Sequence, residues 1–270
     1  MYVNQLHYEV FGAGKPVLII HGLGGNIDFM TDCMEPVFKK IEGYQRIYVD
    51  LPGMGKSKFD NSYATSDCIL DTLVNFINET IHIPFVLIGQ SYGGYLARGI
   101  LSRMPHQVEA MMLLCPVIVA NRDKRNVPLQ KECVVDEDFL QKHQQSDISS
   151  YLEYAVIIND ETFQHFTNAT HTAFEQSDQS SLDVLSKHYD YTFDVDKAIK
   201  SLNLNVPVYM ICGRQDICVG YHDQWKVINE YKNGSFSLVN KAGHNLQIDQ
   251  PILFDSLAYS WLTYIIKTQC

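Results

Sequence analysis

The 270-residue sequence has no Cys-x-x-Cys pair, no basic run longer than a pair or a broken cluster such as Arg122 to Arg125, no apolar run of membrane-spanning length and no internal repeat. Each absence removes a class of function. Seven cysteines, at positions 33, 68, 115, 133, 212, 218 and 270, form an odd set that supports neither a disulfide framework nor a zinc site. Neither a metal nor a cofactor is expected. Cys115 and Cys212 close apolar strand patterns and are expected to be small buried residues, and the terminal Cys270 is expected to be an exposed thiol. With a formal net charge of −10 and few clustered cations, the chain is a poor partner for nucleic acid or an anionic membrane. The first residues, MYVNQLHYEVFG, lack the basic-then-apolar order of a secretion signal. A reducing cytoplasm is therefore the expected compartment, and the glycosylation-type triplets at Asn78, Asn168 and Asn233 are expected to be chance matches. The expected partner is a small-molecule substrate, and the expected assembly a monomer or homodimer.

What is present is an ordinary globular composition, 46% hydrophobic and 19% charged, at a length that suits one large α/β domain or a domain with an insertion. Leu6 to Phe11 alternates apolar and polar residues, and after the turn Gly12 to Pro16 the apolar run Val17 to Ile20 predicts a buried strand. His21-Gly22-Leu23-Gly24-Gly25 follows directly. Glycines at the carboxyl end of a buried strand leave backbone N–H groups free to face a ligand. Leu23 N–H, with Gly24 as the near alternative, is expected to be one oxyanion donor, and His21 to brace the loop from beneath.

A helix pattern over Phe29 to Ile41 precedes the strand Arg46 to Asp50. Gly55-Lys56-Ser57 resembles the end of a phosphate-binding loop, but that motif needs glycine at position 50, where Asp50 would repel a triphosphate. Asp50 is instead expected to anchor its loop through backbone hydrogen bonds. Apolar residues at 69, 70, 73, 74 and 77 predict a helix. Then comes FVLIGQSYGGYL, residues 85 to 96, an apolar strand running through a serine flanked by glycines into a helix. Side chains at positions 89 and 93 would collide with neighbouring backbone in so tight a turn. The turn lifts the Ser91 hydroxyl clear of the sheet and sets the first amides of a helix behind it.

After the strand pattern ending at Cys115, residues 117–196 become polar and helical, with acids interleaved with aromatics. This stretch is expected to be a helical cap over the carboxyl edge of the sheet, inserted between core segments 1–116 and 197–270. Most of its aromatics are expected to form the cap's own core, with a few lining the cavity it closes. Strand patterns resume at Pro207 to Cys212, followed by Asp216, and at Ser235 to Val239, followed by His244. A helix pattern over Gly220 to Tyr231 separates them, and Ile252 to Ile266 predicts the last helix. Serine needs a base to attack at neutral pH, imidazole titrates there, and a carboxylate fixes the imidazole tautomer. Ser91, Asp216 and His244 each follow a predicted strand of one parallel sheet, and such strand ends share an edge. Asp123 rivals Asp216 as the acid.

That order, with His21-Gly22 ahead of it and a cap inside it, resembles the α/β-hydrolase superfamily from about Leu6 to Ile266. The resemblance implies an α/β fold with an eight-stranded, mostly parallel sheet flanked by helices. It also implies an oxyanion hole from the Leu23 and Tyr92 N–H groups, and an acyl-enzyme serine hydrolase of the carboxylesterase kind. Serine at 91, rather than aspartate, argues against dehalogenases and epoxide hydrolases. A proline iminopeptidase, a carbon–carbon bond hydrolase and a non-catalytic ligand receptor on the same fold stand as alternatives.

Overall fold

The structure, a computed structural model, describes residues 1–60 and 63–268, so the expectation for Cys270 lies outside the described residues. The chain opens with β1 (Tyr2–Val3), β2 (Leu6–Gly12), β3 (Lys15–Ile20), α1 (Ile27–Phe38), β4 (Tyr44–Val49), α2 (Ser66–Thr80), β5 (Phe85–Gln90), α3 (Tyr92–Arg103) and β6 (Val108–Leu114). Short elements follow: β7 (Val134–Val135), α4 (Glu137–Lys142), α5 (Gln145–Tyr154), β8 (Ile157–Ile158), α6 (Asp160–His165), a π-helical turn over Phe166–His171, α7 (Thr172–Glu175), α8 (Gln179–Lys187) and α9 (Val195–Leu202). The alternation resumes with β9 (Pro207–Gly213), α10 (His222–Ile228), β10 (Asn233–Val239), α11 (Leu246–Asp249) and α12 (Pro251–Thr268).

One eight-stranded sheet has the order β1-β2-β4-β3-β5-β6-β9-β10. The β1/β2 and β2/β4 pairs are antiparallel, and the others parallel. Every residue of β5 is buried, as are Val17 to Ile20 of β3. That is why both read as continuous apolar runs: a central parallel strand is covered on both faces. From β3 the chain moves to β4 on one side and then to β5 on the other. The reversal opens a crevice at the carboxyl ends of β3 and β5, where an open α/β sheet takes its ligands. The loops after these strands carry His21 to Gly25 and Ser91.

The stretch after β6 is more broken than its sequence suggests. The pair β7/β8 is a two-residue parallel contact. Phe139, Ile148, Tyr151 and Phe166 form a small second core with Ile248 of α11. Helix α9 straddles the expected boundary at 196/197 and packs on α3, where the fully buried Arg98 is paired with Asp196. Tyr191 stacks on Tyr95 with ring centroids 4.4 Å apart and belongs to the main core. Among the described residues no helix is long and apolar enough to cross a membrane.

Candidate active site

The turn between β5 and α3 is as tight as its glycines require. A Cβ on Gly89 would lie 2.4 Å from Gly93 O, and one on Gly93 would lie 2.3 Å from Ile20 O. Ser91 has φ 51° and ψ −113°, a backbone state that costs about 1–3 kcal/mol for a residue with a side chain. The neighbourhood holds it there. Ser91 N–H donates to Leu114 O at 2.9 Å, and Ser91 O accepts from Gly94, Tyr95 and Val117 N–H at 3.0, 3.2 and 3.0 Å.

Ser91 Oγ lies 2.9 Å from His244 Nε2, and His244 Nδ1 lies 2.9 Å from Asp216 Oδ2. Three strand ends, those of β5, β9 and β10, deliver these residues to one point. Asp216 is fully buried, and its other oxygen accepts from Cys218 and Val219 N–H at 2.8 and 3.0 Å. A carboxylate so held favours a proton on Nδ1 of the facing imidazole, which leaves Nε2 to accept the serine proton. Asp123, the rival acid, sits in a short 3-10 turn and lines the adjoining cavity, while the histidine's Nδ1 is already engaged by Asp216. Cys115 is buried as expected, with its sulfur among the Asp216 and His244 ligand atoms within 4.8 Å. Burial pushes its thiol pKa well up, so it stays protonated and a poor metal ligand.

The loop after β3 is braced from below. His21 Nδ1–H donates to Gly22 O at 2.7 Å, and Nε2 accepts from Leu51 N–H at 3.0 Å. Both bonds suit a neutral ring, and burial holds the imidazole pKa below its ordinary range against the opposing pull of Asp50. Asp50 anchors two loops: Oδ1 accepts from Ile27 N–H, and Oδ2 from Lys56 N–H and His7 Nδ1, at 2.8, 2.9 and 2.8 Å. The Gly55-Lys56-Ser57 stretch therefore wraps a carboxylate, with no cradle for phosphate. Gly24 N–H is occupied by Met54 Sδ at 3.4 Å. Among the described residues, no protein acceptor engages the Leu23 or Tyr92 N–H.

Above Ser91 lies a cavity of about 990 Å³. Its apolar walls include Phe29, Val117, Phe166, Phe174 and Leu182, and Arg122, Asp123, Asp183 and Lys187 also line it. Phe174 presses on the glycine loop so closely that a Cβ on Gly24 would lie 2.8 Å from its ring. Of the aromatics after β6, Phe139 and Tyr151 sit in the second core, Phe166 belongs to that core and also lines the cavity, and Tyr154, Phe174 and Tyr189 reach the cavity as well. Sequence reasoning did not single out Gln90, which is 3% exposed and lines the cavity beside Ser91. Its only signal was its place next to the serine in the turn motif.

An eight-stranded, mostly parallel sheet that presents a serine from a strand-to-helix turn at its carboxyl edge is the architecture of the α/β hydrolases. The chain belongs to the α/β hydrolase fold family, which it matches over residues 15–251. It is similar to an α/β superfamily hydrolase from Oenococcus oeni, 34% identical, with a TM-score of 0.89 and 97% of this chain and 96% of that one covered. An esterase from Exiguobacterium antarcticum, 19% identical with a TM-score of 0.72, shares the fold over 96% of this chain and 95% of its own. Among curated proteins, a pimeloyl-[acyl-carrier protein] methyl ester esterase from Shewanella woodyi is 32% identical over 123 residues, 45% of this chain. That match spans only 44% of the relative's own length.

Proposed function

We propose that the protein is a serine hydrolase that cleaves carboxylic esters of small or medium acyl groups. The observation that carries this reading is the line Ser91 Oγ, His244, Asp216, with 2.9 Å at each link. Ser91 attacks the ester carbonyl as His244 Nε2 takes its proton, and Asp216 stabilises the imidazolium. The N–H groups of Leu23 and Tyr92 receive the oxyanion, each contributing about a hundredfold or more to turnover. His244 then protonates the departing alcohol, and water repeats the sequence to free the acid and Ser91.

Residues 117–196 act as the cap that selects the acyl group. The apolar side chains near the serine, among them Phe29, Val117, Phe174 and Leu182, favour an uncharged acyl chain, and a relative named as an esterase points the same way. Carboxylates at Asp123, Glu153, Asp183 and Asp190 support a second reading, an aminopeptidase that holds a free amine, but Arg122, Arg125 and Lys187 line the same cavity and offset most of their field. Turnover of p-nitrophenyl acetate and butyrate, against prolyl arylamides, separates the two. No ester turnover by the wild type, or equal turnover by Ser91→Ala, would reject the proposal.

A further inference from the structure

Five residues beyond His244, the buried Asp249 binds two separate pieces of backbone through its two carboxylate oxygens. Oδ2 accepts from Gly243 N–H at 2.8 Å, next to the histidine. Oδ1 accepts from Val156 and Ile157 N–H at 2.9 Å each, directly after α5, whose Ser150, Glu153 and Tyr154 line the cavity. Lys131 Nζ holds the carbonyls of Leu152 and Glu153 at 2.6 and 2.9 Å, so this end of the wall is tied down at adjacent points. Gly243 is enclosed on the same side: a Cβ there would lie 2.9 Å from Tyr154 O and 3.0 Å from Val156 Cγ2. Its carbonyl accepts a weak bond from the Cys115 thiol at 3.7 Å and closes on Gly213, whose added Cβ would lie 2.3 Å away.

We infer that Asp249 is a positioning residue that ties the histidine loop and the Ser150–Tyr154 wall of the cavity to one carboxylate, so that base and wall keep a common register. The inference rests on the reading of Ser91 and His244 as the reacting pair. The geometry goes beyond loop bracing because the two oxygens serve different segments. A carboxylate accepts at both oxygens, whereas an amide accepts at one and donates at the other. Asp249→Asn therefore keeps the shape and turns an N–H group against either Gly243 or the Val156–Ile157 pair. One arm is lost and the packing stays.

The test uses the full chain. Competent sites are counted by stoichiometric labelling with a serine-directed phosphonate, and kcat and KM are measured for p-nitrophenyl acetate and butyrate. In Asp249→Asn, kcat per titrated site should fall roughly tenfold or more with both esters, because sub-ångström displacement of a base is costly. KM should rise for butyrate, whose longer chain extends further into the cavity, and not for acetate. A merely structural role would lower the fraction of competent sites and leave per-site constants alone. Per-site kcat within about twofold of wild type for both esters overturns the inference. Should the variant fail to fold, hydrogen exchange on the wild type decides: labelling Ser91 should change the protection of the Val156, Ile157 and Gly243 amides together, and a response confined to Gly243 or absent from all three overturns it. A wild type that neither labels nor turns over esters overturns the reacting-pair reading itself and this inference with it. A reactive wild type with an unaffected variant overturns this inference alone.

Discussion

Replacing Asp216 by Asn tests the proposed division of labour with almost no change in shape. The amide can sit two ways. Oδ1 of the carboxylate accepts from the N–H groups of Cys218 and Val219 at 2.8 and 3.0 Å. An NH2 group turned toward those donors would forfeit both bonds at a fully buried site, about 1.5–3 kcal/mol for each bond to a charged group. The amide oxygen therefore stays with the loop, and the NH2 faces His244 Nδ1, 2.9 Å away in the native protein. Two donors cannot share that contact, so the imidazole gives up its Nδ1 proton and carries one on Nε2 instead. That N–H then points at Ser91 Oγ, and the base is gone. The expected loss in kcat is about 10⁴-fold, equivalent to about 5.4 kcal/mol of transition-state stabilisation. The assay is p-nitrophenyl acetate turnover at neutral pH beside a thermal melt that establishes folding, with Asp123→Asn as the comparison. Asp123→Asn should keep kcat for acetate within about threefold. A loss below about tenfold in Asp216→Asn, or an equal loss in Asp123→Asn, would refute the assignment of the acid.

Ser91→Ala should abolish covalent labelling by a serine-directed phosphonate, and a labelled variant would show a different nucleophile. Gly93→Ala sets a methyl 2.3 Å from Ile20 O and 2.5 Å from His21 O; it should cost about 3 kcal/mol or more in urea unfolding, and a cost below about 1 kcal/mol would contradict the close approach. Phe174→Ala removes the ring above Gly24 and should raise KM for butyrate by roughly fivefold, the equivalent of about 1 kcal/mol of apolar contact; an unchanged KM would place the acyl chain elsewhere. Burial holds the folded pKa of His21 below the ordinary imidazole value of about 6.5, so the unfolded chain binds more protons between those two pKa values. The stabilisation is fully present above about pH 6.5 and is lost as pH falls toward the folded pKa, by at most about 1.4 kcal/mol per unit. Urea unfolding at pH 7.5, 6.5 and 5.5 should show stability falling more steeply below pH 6.5 in the wild type than in His21→Asn; equal slopes would refute it.

Much of the molecule is written in short-range pattern. The turn at 89–93 is legible because two missing side chains and a strand-to-helix change of period fall within a few residues, and backbone sterics then leave one local solution. The apolar runs of β3, β5, β6 and β9 are legible because strands covered on both faces cannot afford polar residues. Their regular alternation with helices implies a parallel sheet, so Ser91, Asp216 and His244 could be assigned to one edge without coordinates. The loop roles of His21 and Asp50 followed from the same reasoning. The stretch after β6 was not legible in detail, because its elements are short and held by contacts distant in sequence. Tyr191 and Phe139 carry no local mark that sends one to the main core and the other to a second core. Helix α9 crosses the expected boundary: Asp194 caps its start by accepting from Lys197 N–H, and Asp196 pairs with Arg98, buried in α3. Met54 takes the Gly24 N–H, and Asp249 takes amides from two segments, through side chains that any surface loop or helix could carry. The sequence alone determined which residues could perform the proposed chemistry, since steric and hydrophobic periodicity act over a few residues. Only the tertiary structure decided which backbone groups stay unengaged and which side chains after β6 face the cavity, since those outcomes depend on packing among segments a hundred residues apart.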